Sequence, residues 1–177
     1  MDMHRKQVKT ECIFFWHEYE ENGCFSNWHV SPFIIDDFRY SHVEQYLMAQ
    51  KAKLFHDAKS YTALLKARTP KECKDLGRRV TPFDGAVWDK VRYDVLVTGV
   101  RAKFTQNAEL QQVLLSTGDC ILAEASPYDD IFGIKLSADA AATIELNRWP
   151  GHNLLGKALM EVRAELRSVL MLANKAL

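Results

Sequence analysis

Residues 41–53 run Ser41-His42-Val43-Glu44-Gln45-Tyr46-Leu47-Met48-Ala49-Gln50-Lys51-Ala52-Lys53 and predict an amphipathic helix that follows a hairpin directly. Ser41 stands three residues before Glu44, which is the spacing of a capping box. We therefore expect both side chains to satisfy free backbone N–H groups at the start of the helix. On this interpretation the polar face of the helix is solvated and Glu44 has no chemical role.

A second interpretation depends on the distance between an acid and an amine on this helix. Glu44 and Lys51 are seven residues apart, which places them on one face, two turns and about 10 Å apart along the axis. Helical side chains lean toward the N-terminus, so Lys51 points back toward Glu44. A small polar molecule held between them would meet both groups, and the spacing alone leaves both interpretations open.

Composition predicts one domain with a substantial core. The chain has 177 residues, 47% of them hydrophobic, and we expect a polar lead over residues 1–12 followed by a single domain over 13–177. Lys plus Arg equals Asp plus Glu at 23 each. No global field therefore attracts the protein to nucleic acid or to an anionic membrane, and any anion site must be local.

The chain shows no signal for export or for a membrane. The charged N-terminus is not followed by an apolar run, and no stretch approaches about 18 uninterrupted apolar residues. The four cysteines contain no C-x-x-C pair, and their wide spacing is typical of reduced thiols. We therefore expect a cytoplasmic protein without a membrane partner.

The β content predicted from the sequence is small and lies mostly near the N-terminus. Residues 13–16 are a short apolar run that predicts a strand, and residues 32–40 predict a hairpin whose turn is Asp36-Asp37. Residues 120–125 predict a short strand or an extended buried segment.

Helices are predicted over most of the remaining chain, so the expected fold class is mainly α with a small β-hairpin and short-strand component. Asp57 and Thr69-Pro70 are the expected starts of two of these helices. The predicted ranges are 58–66, 70–77, 87–106, 107–118, 138–146 and 154–175. The residues predicted to face inward on the last two long helices are Leu110, Val113 and Leu114, and Leu155, Leu159, Val162, Leu166, Val169 and Leu170.

Common catalytic signatures are absent from the sequence. There is no G-x-S-x-G, P-loop, H-E-x-x-H or G-x-G-x-x-G motif, and the six histidines lack the spacing of metal ligands. We expect neither a metal nor a cofactor.

Polar and aromatic residues in loops around the organising helix predict a small-molecule site. Each has a structural alternative: Trp88 packs in the core or stacks on a flat heterocycle, Arg78 neutralises a helix end or binds phosphate, and Asp129 forms a turn or acts as a base. The full set is Phe25, Ser26, Asn27, Arg78, Trp88, Asp129, Trp149 and Asn153.

Six sequence blocks, taken together and in order, resemble the NADAR (YbiA-like) family from about Phe14 to Arg167. The blocks are Phe25-Ser26-Asn27; Tyr40 with Val43-Glu44-x-Tyr46-x-x-Ala49-Gln50-Lys51-Ala52; Leu76-Gly77-Arg78; Lys103-Phe104-x-Gln106-Asn107; Ala125-Ser126-Pro127-x-Asp129; and Trp149-x-Gly151-x-Asn153-Leu154-Leu155-Gly156. The chain departs from the family pattern at Gln45, at Asp37 and at Phe132-Gly133-Ile134-Lys135, where His, Gly and Trp-Gly-x-Gly are usual.

The resemblance implies an N-glycosidase that cleaves the C–N bond of ribosylated heterocycles. Two substrate classes are associated with the family: phosphoribosylamino-pyrimidine intermediates of riboflavin synthesis, and ADP-ribose attached to guanine in nucleic acid. A non-catalytic ADP-ribose or nucleotide-binding module and a scaffold with a solvated polar face are the alternatives. The neutral net charge favours a small substrate over long DNA.

The chemistry of that bond assigns roles to the candidate residues. Its cleavage builds positive charge on the sugar and negative charge on the departing nitrogen, so it needs carboxylates and a proton source. The expected catalytic residues are Glu44 as proton shuttle, Asp129 as water activator or ribose-hydroxyl clamp, and Lys51. The Lys51 amine either captures an imine, if burial or a cationic neighbour lowers its pKa, or acts electrostatically while the carboxylates do the chemistry. The expected substrate-binding residues are Phe25, Ser26, Asn27, Arg78 on phosphate, Trp88, Trp149 and Asn153.

Overall fold

The computed structural model describes residues 11–175, so most of the predicted polar lead at 1–12 lies outside the described residues. The strands are β1 (Cys12–Phe15), β2 (Phe33–Ile35), β3 (Phe38–Tyr40) and β4 (Ile121–Glu124). The helices are α1 (Val43–Leu54), α2 (Ala58–Lys66), α3 (Pro70–Gly77), α4 (Gly85–Gln106), α5 (Ala108–Ser116), α6 (Ala138–Ala142) and α7 (Leu154–Lys175), with short 3-10 turns at Gly23–Phe25 and Leu146–Arg148. The predicted mainly α fold is confirmed.

The strands form two separate pairs. Strands β2 and β3 are the predicted hairpin, and both turn residues adopt left-handed backbone, with φ 51° at Asp36 and 60° at Asp37. Aspartate tolerates this region better than most residues. Strands β1 and β4 pair in parallel, from Cys12 opposite Ile121 to Phe15 opposite Glu124. This pairing brings the segment after β4 next to elements more than a hundred residues earlier.

Helix α1 lies at the centre of the fold and contacts α2, α3 and α4. Val43, Leu47, Ala49 and Ala52 are fully buried, and Glu44 is 6% exposed. The interpretation that gave α1 a solvated polar face is therefore wrong, because neighbouring helices cover it.

Within residues 11–175, no helix combines the length and the apolar character needed to span a bilayer.

The cap of α1 differs from the prediction. His42, not Ser41, is the capping residue, and its Nδ1 accepts a hydrogen bond from the Gln45 N–H at 3.1 Å. The Gln45 Oε1 accepts from the Ser41 N–H at 2.8 Å, while its Nε2 donates to the carbonyls of Leu64 and Ala67. Burial lowers the pKa of His42 to about 4, so the imidazole stays neutral and Nδ1 remains an acceptor.

The predicted starts of the next two helices are confirmed. The Asp57 carboxylate accepts from the Ser60 N–H at 2.9 Å at the start of α2. The Thr69 hydroxyl accepts from the Glu72 N–H at 3.2 Å at the start of α3, and Pro70 occupies the first helical position. These local patterns depend only on neighbouring residues.

Three residues predicted to face the core are exposed. Val113 is 41% exposed, since α5 packs through one edge, on which Leu114 is buried. Val169 and Leu170 are 64% and 44% exposed because Leu166 is the last buried residue of α7 up to residue 173, and the helix continues past the core. Helix α6 ends at Ala142, short of the predicted residue 146. The N–H groups of Thr143 and Ile144 bond to carbonyls three residues earlier, not four, so the α-helical pattern stops there.

The start of α7 lies directly against β4, and we expect Gly156→Ala to destabilise the protein by about 3 kcal/mol. An added Cβ at Gly156 would overlap the backbone carbonyl oxygen of Leu122, which cannot move without shifting the strand. Thermal unfolding of the variant measures the loss. Gly85→Ala is the matched control: the nearest atom to its added Cβ is 3.9 Å away, so its melting temperature should stay equal or rise. Equal melting temperatures for Gly156→Ala and the parent protein would contradict the packing described here.

Candidate active site

A cavity of about 340 Å³ lies beside α1, α3, α4 and the loop after β4. Its wall combines three carboxyl groups, four basic side chains and four aromatic rings. The lining residues are Asn27, Trp28, Glu44, Met48, Lys51, Lys74, Gly77, Arg78, Phe83, Trp88, Arg92, Glu124, Asp129, Ile131 and Phe132. Ligand sites of small molecules have this size and this mixture of apolar and polar groups.

Six of the ten residues predicted from the sequence line this cavity: Asn27, Glu44, Lys51, Arg78, Trp88 and Asp129. Glu44 and Lys51 come from the same helix, two turns apart, and both face the cavity. The other four predicted residues do not line it.

Phe25 and Ser26 support the site from behind it. Phe25 is 1% exposed and its ring packs on those of Phe15 and Phe104, with centroids 5.7 and 6.2 Å away. The Ser26 hydroxyl accepts from the Trp28 N–H at 3.3 Å, within its own loop. The loop turns these two side chains into the protein and presents Asn27 and Trp28 to the cavity, so Phe25 and Ser26 are not among the lining residues.

Trp149 and Asn153 likewise have structural contacts. Trp149 packs on Phe14, with ring centroids 5.9 Å apart, in a small secondary core. The Asn153 amide binds strand β4: its Oδ1 accepts from the Glu124 N–H at 3.1 Å and its Nδ2 donates to the Leu122 carbonyl at 2.9 Å. Neither residue lines the cavity, and Asn153 fixes a strand that ends at it.

Glu44 is a buried acid at the cavity wall. Burial raises its pKa to about 7, and the charge of Asp129 acts in the same direction. The cationic groups of Lys74, Arg78 and Lys51 oppose this shift. A carboxyl group balanced in this way gains and loses a proton near neutral pH, as a general acid or base must.

Lys51 is held in a fixed position on the same wall. Its Nζ donates to the Gly77 carbonyl at 2.8 Å and lies 4.1 Å from the centroid of the Phe83 ring. Burial lowers the pKa of Lys51, and the charge of Glu44 partly offsets this effect. A Cβ added at Gly77 would overlap the Met48 side chain, so alanine at this position would require Met48 to move.

Glu124, which sequence reasoning did not select, is a second buried acid in the cavity. Burial raises its pKa to about 8, with further contributions from the charges of Asp129 and Glu44. A carboxylate at the end of the apolar run 121–125 was the available signal. That signal was weak because such a residue more often marks the solvated end of a strand.

Asp129 shows the turn-forming role that was its structural alternative. Its Oδ1 accepts from the N–H groups of Ile131 and Phe132, each at 2.8 Å. This turn sets the direction of the loop and places Phe132 in the cavity wall. The carboxylate of Asp129 also lines the cavity, so the turn does not remove it from the site.

The basic residues of the cavity are suited to an anionic group. The Arg78 side chain is 70% exposed and lies 3.7 Å from the Asp75 carboxylate. The Lys74 amine lies 5.7 Å from the centroid of the Trp28 ring, and Arg92 forms an ion pair elsewhere on α4. An anion entering the cavity would meet these cations. Because the formal net charge of the chain is zero, the attraction comes from this local cluster and not from the protein as a whole.

Lys103 is a buried lysine that the sequence pattern did not reveal. Its Nζ donates to the carbonyls of Cys24 and Ser26 at 2.6 and 3.0 Å. Burial lowers its pKa to about 7. These bonds fix the loop that presents Asn27 and Trp28 to the cavity.

The protein is a mainly helical domain whose cavity carries the groups that an acid–base enzyme uses. Protonatable carboxyls, a desolvated amine, cations and aromatic rings converge at one place, and each group has a use in bond cleavage.

The chain belongs to the NADAR family, since the NADAR domain matches residues 14–167. It is similar to an N-glycosidase of Acanthamoeba polyphaga mimivirus, with 40% identity over 167 residues that cover 89% of this chain and 98% of the relative. It is 29% identical to a riboflavin biosynthesis protein of Vibrio vulnificus, over 90% of this chain and 41% of that longer protein. Among solved structures it resembles the NMR structure of the E. coli protein YbiA, with a TM-score of 0.76 and 29% identity over 92% of this chain and 88% of that one.

These comparisons confirm the family and the enzyme class inferred from the sequence. The relative named N-glycosidase aligns over almost its whole length, so the likeness includes the complete domain. The chain is thus an enzyme of the N-glycosidase class.

Proposed function

We propose that the cavity hydrolyses the C–N bond between ribose and an amino-heterocycle in a phosphorylated ribosylamine, a pyrimidine intermediate of riboflavin synthesis. One observation carries the proposal: a buried acid that titrates near neutral pH, Glu44, and a desolvated amine, Lys51, line one cavity together with cations and aromatic rings. The name of the Vibrio relative supports the same pathway.

Lys51 acts as the nucleophile in this proposal. A ribosylamine opens to an imine, and the neutral Lys51 amine adds to its carbon C1 while Glu44 passes one proton from Lys51 to the heterocycle nitrogen. The C1–N bond then breaks, the heterocycle leaves with a second proton, and a lysine imine remains. Water hydrolyses that imine to release the sugar aldehyde and restore the lysine amine.

The other cavity residues hold the substrate in place. Arg78 binds the phosphate, Trp88 covers the flat base, and Asn27 offers an amide to its polar edge. The free oxygen of the Asp129 carboxylate activates water or binds a ribose hydroxyl. These contacts orient C1 toward Lys51, and positioning of this kind accounts for a large share of an enzymatic rate.

ADP-ribose attached to guanine is the second candidate substrate, because it contains the same type of bond. The 70% exposure of the Arg78 side chain favours it, since a diphosphate extending from the cavity would reach that guanidinium. The cavity volume of about 340 Å³ favours the smaller phosphoribosylamine, which needs no space outside.

Incubation with both substrate classes, followed by mass spectrometry of the released amino-pyrimidine and of released ADP-ribose, tests the proposal. We expect free amino-pyrimidine to accumulate faster than in an enzyme-free control, which is needed because ribosylamines also hydrolyse spontaneously. Release of ADP-ribose from ADP-ribosylated nucleic acid alone, with the guanine left in the strand, would assign the second substrate. Saturable binding without release would indicate a sensor, and an unchanged melting temperature with both ligands would indicate a scaffold.

A further inference from the structure

Glu124 is fixed in the cavity wall by its own backbone. It is the last residue of β4, where it pairs with Phe15 of β1. Its N–H donates to the Asn153 side chain at 3.1 Å, and its carbonyl accepts from the Ile134 N–H at 2.9 Å. A residue held on both sides in this way can direct its side chain into the cavity with little freedom to turn away.

The carboxyl group of Glu124 has an unused hydrogen-bonding position. Its Oε2 is buried and has no hydrogen-bond partner within residues 11–175. Buried polar atoms are nearly always paired, so an unpaired one in a ligand cavity is explained most simply by a partner that the ligand supplies.

The groups around Glu124 favour its neutral form. The charged groups that act on it are Glu44 from α1, Asp129 from the following loop and Lys74 from α3. Two of these three are carboxylates. Glu44 differs: burial raises its pKa too, but among the charged groups three cations lower that pKa and only Asp129 raises it. Environments that differ in this way assign different roles to two acids in one site.

We propose that Glu124 is a further catalytic residue, whose protonated carboxyl donates the second proton to the departing heterocycle nitrogen. This inference rests on the function proposed above. After Lys51 has added to C1, the lysine nitrogen lone pair forms the C=N bond and the C1–N bond to the heterocycle breaks. The electron pair of that bond stays on the heterocycle nitrogen, which takes the proton of Glu124. The resulting Glu124 carboxylate regains a proton from the water that adds to C1, so each group returns to its initial state.

The test is the pH dependence of kcat for the full chain and for Glu124→Gln. We expect the variant to lose about 100-fold in kcat with little change in KM, because glutamine keeps the shape of the side chain but cannot release a proton. In the unmodified protein kcat should fall as the pH rises through the pKa of Glu124, since only the protonated acid can donate. This alkaline decrease should be absent from Glu124→Gln and retained in Glu124→Asp, which still carries an acid.

The exposed Glu109 on α5 provides the matched control, and Glu109→Gln should retain both the rate and the alkaline decrease. A purely structural role for Glu124 would lower kcat without removing the alkaline decrease, and that result would overturn the inference. So would a Glu124→Gln enzyme with the kcat of the unmodified protein. If the unmodified protein released neither amino-pyrimidine nor ADP-ribose from the two substrate classes, both this inference and the proposed function would fail together.

Discussion

Lys51→Ala should lower kcat for release of the heterocycle by about 10⁴-fold, the largest loss we expect from any single substitution in this chain. The Lys51 amine lies in the cavity, is held by the Gly77 carbonyl at 2.8 Å, and has a lowered pKa because of burial. More of it is therefore neutral near pH 7 than of an exposed lysine, and only the neutral amine attacks an imine. Steady-state kinetics on the phosphoribosylamino-pyrimidine measures the loss.

Two further variants separate the role of Lys51 from general effects of removing a lysine. Lys53→Ala changes an exposed lysine on the same helix and should leave kcat unchanged. Lys51→Arg retains the cation but cannot form an imine, so it should be as inactive as Lys51→Ala if the lysine reacts covalently. If the lysine reacts covalently, borohydride added to the unmodified protein during turnover should reduce the lysine imine and leave the sugar attached to Lys51. Normal turnover by a folded Lys51→Ala protein would exclude the covalent route.

Glu44→Gln should lower kcat by about 10³-fold, because the amide can neither accept nor deliver the proton that moves from Lys51 to the leaving nitrogen.

Near pH 8 the Glu44→Gln variant should be at least as stable as the parent protein. Burial raises the pKa of Glu44 to about 7 from an ordinary value of 4.5, so the folded state binds more protons than the unfolded state between these values. The contribution of Glu44 to the unfolding free energy therefore decreases as the pH rises across that window.

Comparing melting temperatures at pH 5 and pH 8 checks this sign. The parent protein should lose more stability between the two values than Glu44→Gln, whose side chain does not ionise. Glu109→Gln, at an exposed position, should change neither kcat nor the pH dependence of stability. A Glu44→Gln enzyme with parental kcat would show that this acid does not carry the proton.

Local patterns in the sequence predicted much of the fold. The caps at Asp57 and Thr69 and the Asp36-Asp37 turn depend on residues a few positions apart, and all three are observed. The cap of α1 was misassigned because His42 is rarely considered as a capping residue. Its neutral form at this position results from burial, which sequence spacing does not report.

The site was predictable where one helix or one loop determined it. Glu44 and Lys51 were brought together by helical spacing alone, and both line the cavity. Glu124 was missed because its place depends on β1, 109 residues earlier at the paired position Phe15. Lys103 was missed for a similar reason, since its acceptors lie 79 and 77 residues away. Contacts over such distances become visible only when the chain is folded.

The most direct measurement is the rate at which free amino-pyrimidine appears from its phosphoribosyl conjugate, for the unmodified protein and for the folded Glu44→Gln/Lys51→Ala double variant. We predict sustained release by the unmodified protein and release at the enzyme-free rate by the double variant. Equal rates for the two proteins would contradict the assignment of bond cleavage to the acid and amine on helix α1.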